Sequence, residues 1–211
     1  MSEIKFYIID TETNGLNAKM HEMTEIGIIR FEDRTQLWRN IKCIYPERSS
    51  YDALKITGKT LADLNNGFNK EKVVEECNNF FSQDGLNPAF RCIVAHNMSF
   101  DKKFLHALWE SCGQQFPANL WIDTIPMIRQ FAKQNGIIKP KTNLQASCDL
   151  VGIKKFADKH NAKVDSKNTY LLFKSLIEDK KIDYLPFIKT FNHVLSNEQN
   201  DDLINFDEEC A

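Results

Sequence analysis

The stretch Phe6–Leu16 limits what this chain can fold into more than any other, because it runs a buried strand into a pair of acids. Ile4, Phe6, Tyr7, Ile8 and Ile9 form an apolar, β-branched and aromatic run, which reads as a buried strand. Asp10 and Glu12 follow, one residue apart, and Asn14-Gly15 then makes a turn. Two acids at the exit of a buried strand repel each other and lose hydration, so a positive charge is needed to offset both costs. A divalent cation is the usual source of that charge. A plain strand followed by a polar turn has the same local sequence, so partner carboxylates further along must decide.

The chain of 211 residues, 42% hydrophobic and 27% charged, suits a single soluble α/β domain with a sizeable core. We expect that domain over residues 1–181, with a C-terminal helix and an acidic tail over 182–211. No apolar run is long enough to cross a membrane. Met1–Lys5 has no basic region leading into an apolar one, so a secretory leader is not expected. The six cysteines include no C-x-x-C pair and read as free thiols rather than zinc ligands or disulfides. Together these features point to the cytoplasm.

Charge is unevenly spread. Residues 129–174 hold ten Lys/Arg against three acids, and 175–211 hold three Lys against nine acids. A basic zone of that size attracts a polyanion or simply solvates helix faces; charge alone does not choose.

In chain order, a first strand is expected from about Ile4 to Asp10. Strands Glu25–Phe31 and Gln36–Ile44 follow, close enough in sequence to form a hairpin. Ile56-Thr57-Gly58 reads as loop, and Lys59–Leu64 as a short helix. The spacing of Val73, Val74, Cys77, Phe80 and Phe81 predicts a helix over 70–81. A short strand Arg91–His96 leads to a helix ending near Cys112, with Ser99 as its N-cap. Strand Leu120–Thr124 leads to a helix stopping near Gly136, and Thr142 caps another that ends at Gly152. Asp165 opens a late helix, and residues 184–195 form one more. A hairpin followed by alternating strands and helices gives a mixed sheet flanked by helices.

The acids now find company. Asp101 lies just past the fourth strand, and His160 precedes Asp165 by five residues. In open α/β sheets the carboxyl ends of central strands face one crevice. Asp10, Glu12, Asp101 and Asp165 would then meet there, with His160 at the rim. An all-oxygen set selects Mg²⁺ or Mn²⁺ over zinc. Four carboxylates can hold two such ions, roughly 3.5–4 Å apart in two-metal sites, an arrangement suited to in-line attack on a phosphodiester. A rim histidine can take the proton of the attacking water.

These segments resemble the motifs of the DEDDh, or DnaQ-like, group of 3′–5′ exonucleases. Phe6-Tyr-Ile-Ile-Asp10-Thr-Glu12-Thr-Asn-Gly-Leu16 is similar to the first motif, Ala95-His-Asn-Met-Ser-Phe-Asp101 to the second, and His160-Asn-Ala-Lys-Val-Asp165 to the third. In the sister group a tyrosine stands four residues before the last Asp; here that residue is Asn161. Weaker echoes fall at Thr24–Phe31, Ile56–Gly58, Ile122–Thr124 and Asn143-Leu144, so the resemblance spans about 4–178.

The resemblance implies a ribonuclease-H-like fold, a five-stranded mixed sheet flanked by helices. It implies that Asp10, Glu12, Asp101 and Asp165 bind two Mg²⁺ or Mn²⁺ ions and that His160 is the general base. It places Thr13, Asn14, Gly15 and Leu16 against the 3′-terminal nucleotide of a single strand, with Ile56 near the terminal base and Asn97 at the backbone or sugar. The activity expected is release of nucleoside 5′-monophosphates from DNA, with RNA trimming as the alternative and a non-catalytic nucleic-acid-binding module behind both. Gln199–Phe206 faintly resembles the segments by which replication proteins bind sliding clamps, so a polymerase or clamp contact through the tail is a further expectation.

Overall fold

The structure is a computed structural model that describes residues 4–154 and 161–191. Its centre is a mixed sheet of six strands: β1 (Lys5–Thr13), β2 (Met23–Arg30), β3 (Gln36–Asn40), β4 (Arg91–Ala95), β5 (Leu120–Asp123) and β6 (Lys189–Thr190). They lie in the order β3-β2-β1-β4-β5-β6. The hairpin partners β2 and β3 are antiparallel, as are β1 and β2, while β1, β4 and β5 run parallel. β1, the strand with the acids, is central.

The alternation of β1 sorts the core into two layers. Tyr7 and Ile9 face one side, where α3 (Lys70–Ser82) and α4 (Met98–Ser111) pack with Val73, Phe81, Phe104 and Trp109. Phe6 and Ile8 face the other, against α5 (Thr124–Gln134), α6 (Leu144–Val151) and α7 (Ala162–Lys174). A π-helical turn, Ser175–Asp179, continues α7.

Several expectations need correction. The sheet has six strands rather than five, because the segment expected as a last helix is not helical where it is described. Pro186 lacks an N–H and supports only the 3₁₀ turn Leu185–Phe187. The chain then extends as β6, antiparallel to β5, and the Phe191 N–H donates to the Asn119 carbonyl (2.8 Å). Residues 192–211, including the tail segment Gln199–Phe206, lie outside the described residues.

Tyr51–Thr57 is a helix, α1, not a loop, and α2 is Leu61–Leu64. α1 buries no residue, so it has no apolar stripe to read; its signals were its ends, with Ser50 accepting from the Ala53 N–H and Gly58 in the left-handed region. Asn97 rather than Ser99 precedes α4, and its left-handed backbone (φ 71°) lets the Asp123 carboxylate accept the Asn97 and Met98 N–H groups. Asn143, not Thr142, caps α6 through the Ala146 N–H. None of the five described cysteines is joined in a disulfide.

Candidate active site

β1 does not stop at Asp10. It continues antiparallel to β2 as far as Thr13, whereas its pairing with β4 ends at Ile8. The last five residues of β1 therefore have a partner on one side and a crevice on the other. Period two puts Asp10 and Glu12 on the same face as Phe6 and Ile8, toward α7. Asp165 lies in the first turn of α7, which begins at Ala162 behind an Asn161 cap rather than at Asp165 itself. Asp10, Glu12 and Asp165 each bring an oxygen within 4.8 Å of the others.

Thr11 points to the opposite face, toward α4, and meets the fourth carboxylate. Asp101, in the first turn of α4, accepts from both the Thr11 N–H (3.0 Å) and the Thr11 hydroxyl (2.8 Å). One strand thus carries two ligand candidates on one face and fixes a third acid from the other. Asn168, one turn beyond Asp165, donates to its Oδ1 (3.3 Å).

These acids are costly to ionise together. Burial, then the charges of Asp101 and Glu12, hold the Asp10 carboxyl well above the usual carboxylate range. Glu12 is pushed up to about 8 by burial and by Glu25 and Asp165, with Lys59 pulling the other way. Burial pushes Asp101 up to about 7 against the lowering effect of the Thr11 hydrogen bonds. Hard oxygen donors, close together and short of positive charge, fit a divalent cation of the Mg²⁺ class.

The same face of β2 holds two residues that the motif reading passed over. Gly27 lies directly opposite Asp10, and a Cβ there would sit 2.3 Å from the Ala162 carbonyl oxygen, so only glycine lets α7 approach this closely. Glu25 lies opposite Glu12 and is buried. Its Oε1 pairs with Lys59 Nζ (2.7 Å), and its Oε2 accepts the Ala162 N–H (3.1 Å).

The exonuclease family model named for ribonuclease T matches residues 7–173, from the second residue of the acid-bearing motif to the end of the α7 core. The chain belongs to this exonuclease family. Its DEDDh, DnaQ-like character follows from the same match, in keeping with the 3′–5′ exonuclease motifs of its sequence.

Among the exonuclease's relatives, a DNA polymerase III epsilon subunit of Treponema pallidum is 29% identical, over 82% of this chain and 77% of that protein. A ribonuclease T of Blochmanniella pennsylvanica is 26% identical, over 82% and 84%. A PolC-type DNA polymerase III of Thermotoga petrophila is 28% identical over 83% of this chain, which spans only 12% of that polymerase. In fold, E. coli exonuclease I in complex with a dT13 oligonucleotide superposes with a TM-score of 0.70 at 18% identity, over 85% of this chain and 42% of that one.

The remaining residues of the exonuclease's predicted site divide sharply. His160 lies outside the described residues. Leu16 and Ile56 are 74% and 59% exposed, free to meet a ligand. Asn97 is exposed, with its Oδ1 accepting from the Ser99 hydroxyl (3.0 Å). The Thr13 and Asn14 side chains are instead committed inside the loop. The Thr13 hydroxyl donates to the Gly15 carbonyl (2.7 Å), and Asn14 donates to Ser49 Oγ and accepts the Glu22 N–H. The Gly15 Cα is covered by the His21 ring, leaving no room for a side chain.

Both nitrogens of His96 are engaged, which leaves neither to serve as a general base. Nε2 faces the Thr142 carbonyl (2.6 Å), which can only accept, so Nε2 carries the proton and Nδ1 accepts from the Thr124 hydroxyl (2.7 Å). Burial also lowers its pKa. It is a tie between β4, α5 and the segment before α6.

Leu16 and Ile56, named from the sequence, belong to a larger set of exposed apolar side chains. Of twelve exposed large apolar side chains among the described residues, six fall between Leu16 and Ile56, including Tyr45 and Tyr51. Arg48 lies over the Tyr45 ring at 4.0 Å. The segment carrying them is bonded to the Leu16 loop: the Ser50 N–H donates to the Asn14 carbonyl (2.8 Å), and the Tyr45 N–H to the Glu22 carboxylate (2.9 Å).

Proposed function

We propose that this exonuclease uses two Mg²⁺ or Mn²⁺ ions to remove nucleoside 5′-monophosphates from the 3′ end of single-stranded nucleic acid, DNA in preference to RNA. The observation that carries this is the convergence of Asp10, Glu12 and Asp165 oxygens within 4.8 Å, beside an Asp101 that Thr11 holds in place. A non-catalytic binding module has no need to keep so costly a set.

Asp10, Glu12, Asp101 and Asp165 would hold the ions. Bound there, the ions supply the positive charge that in-line hydrolysis of a phosphodiester requires. The chain's own groups do the rest. Thr11 orients Asp101, and Asn168 orients Asp165. His160, in the segment leading to α7, accepts the proton of the attacking water at an imidazole nitrogen. Leu16 and Ile56 flank the terminal base, Asn97 meets the sugar–phosphate backbone, and the loop Thr13–Gly15 supports them through its backbone. The lysine-rich zone around α6 and α7 attracts the strand, so binding weakens as salt rises.

The preference for DNA rests on the epsilon-subunit relatives and on the dT13-bound neighbour of like fold. Ribonuclease T and a 3′-exonuclease that recognises a histone mRNA stem-loop (TM-score 0.67, 15% identity) favour the RNA reading. As with epsilon relatives, a polymerase is the natural partner. The cytoplasm is the compartment we assign, in keeping with five described cysteines outside any disulfide.

The decisive assay follows end-labelled DNA and RNA oligonucleotides of one sequence with Mn²⁺, with Mg²⁺ and with EDTA. Asp165→Asn should abolish degradation with the fold intact, and His160→Ala should slow it by roughly 10²–10⁴-fold. Chelator-resistant degradation, or a full rate in Asp165→Asn, refutes the metal reading. Faster loss of the RNA reverses the substrate preference.

A further inference from the structure

Glu25 is a buried acid beside the metal-ligand candidates, yet both of its oxygens are taken. Oε1 pairs with Lys59 Nζ at 2.7 Å, and Oε2 accepts the Ala162 N–H at 3.1 Å. Ala162 is the first residue of α7, where backbone N–H groups lack partners within the helix. One turn further on is Asp165. Lys59 follows directly on Gly58, at the end of the helix that carries Ile56.

From this geometry we infer that Glu25 is a positioning residue: its carboxylate anchors the N-terminus of α7 and so sets where Asp165 stands relative to Asp10 and Glu12. Three observations support it. Glu25 faces Glu12 across the β1–β2 ladder, where two like charges directly opposite each other are unfavourable. An acid kept there has a task other than packing. Lys59 pairs with the other oxygen, Oε1, which offsets the charge and leaves Oε2 for the helix. Gly27, two residues along the same face, clears the space that lets the Ala162 backbone approach β2. The glycine permits the contact, and the glutamate fixes it.

The inference rests on the metal reading above but makes a separate claim about hydrogen bonding. It is tested with two double variants that both remove the buried charge pair. E25Q/K59M keeps an acceptor oxygen for the Ala162 N–H, and E25A/K59M removes it. Mn²⁺ binding is measured by calorimetry without nucleic acid, alongside kcat and KM on a single-stranded oligonucleotide.

Groups that orient metal ligands typically matter by roughly 10–100-fold in metal affinity or rate. E25A/K59M should therefore bind Mn²⁺ more weakly by about that factor and lose kcat, with KM little changed. E25Q/K59M should stay within about threefold of the unmodified protein, a range well inside the one expected for loss of orientation. Equal Mn²⁺ affinity in the two variants overturns the proposal, as does equal weakening in both, which would assign the effect to charge. If E25A/K59M does not fold, E25Q/K59M alone decides: near-normal Mn²⁺ affinity supports an acceptor role, and a large loss overturns it. If the unmodified protein binds no Mn²⁺, the metal reading itself has failed.

Discussion

Replacing Asp10 with Asn should stabilise the metal-free protein while destroying its site. The oxygens of Asp10, Glu12 and Asp165 lie within 4.8 Å of one another. At that separation, and with an effective dielectric of about 20, each fully ionised pair repels by about 3.5 kcal/mol. Proton uptake relieves part of this, so at pH 8 a gain of about 1–3 kcal/mol is expected from Asp10→Asn. For a chain of this size, that is on the order of 5 °C in Tm.

The pH dependence has a fixed sign. Glu12 is raised from 4.5 to about 8, and Asp101 from 3.8 to about 7, so the folded state binds more protons than the unfolded state between those limits. Metal-free stability therefore falls as pH climbs from about 4 to about 8, and the advantage of Asp10→Asn grows over the same window. Thermal melts at pH 5 and pH 8, each in EDTA and in excess Mn²⁺, check both points. The unmodified protein should gain about 2.7 kcal/mol at a hundredfold excess of Mn²⁺ over its dissociation constant, and Asp10→Asn far less. An Asp10→Asn protein no more stable than its parent in EDTA at pH 8, or one with the same advantage at pH 5, refutes the reasoning.

Three further substitutions probe the surroundings. Gly27→Ala forces a Cβ to within 2.3 Å of the Ala162 carbonyl oxygen, so it should cost about 1–3 kcal/mol in urea denaturation and weaken Mn²⁺ binding through the displaced Asp165; unchanged Mn²⁺ affinity would count against the close approach. Arg91 holds the Asp84 carboxylate in three hydrogen bonds of 3.2, 2.9 and 2.7 Å, and Asp84 also accepts the Tyr7 hydroxyl at 2.6 Å. Arg91→Met should therefore lose about 3–5 kcal/mol in urea denaturation with little effect on the rate at low temperature. Tyr51, 78% exposed beside the Leu16 loop, should stack a base behind the terminal one; Tyr51→Ala is then expected to raise KM for an oligonucleotide by about 5–150-fold and leave a mononucleotide aryl ester, which has no second base, unaffected, given about 1–3 kcal/mol per stacked base.

What could be read from sequence here follows from how local the cause is. Asp10, Glu12, Asp101 and Asp165 were recognisable because each sits at a fixed offset from a strand or helix end. The face on which each would lie was not readable until β1 proved to continue to Thr13. Only then does period two send Asp10 and Glu12 toward α7 and Thr11 toward Asp101. The helix Tyr51–Thr57 escaped because burial, the source of periodicity, is missing from it, although Ser50 and Gly58 marked its ends.

Glu25 and Gly27 had signals that were present but undervalued. An acid directly before the apolar run Ile26-Gly-Ile-Ile needs a partner to be buried, and a glycine within a strand marks a close backbone approach. Both partners lie near Ala162, 137 residues beyond Glu25, a separation that no local spacing encodes. The distinction bears on function. The residues proposed to touch metal and substrate belong to short motifs that are legible as patterns. Those that hold the motifs in register act through backbone atoms of distant segments, and at such positions a glutamate and a glycine are as closely specified as any ligand.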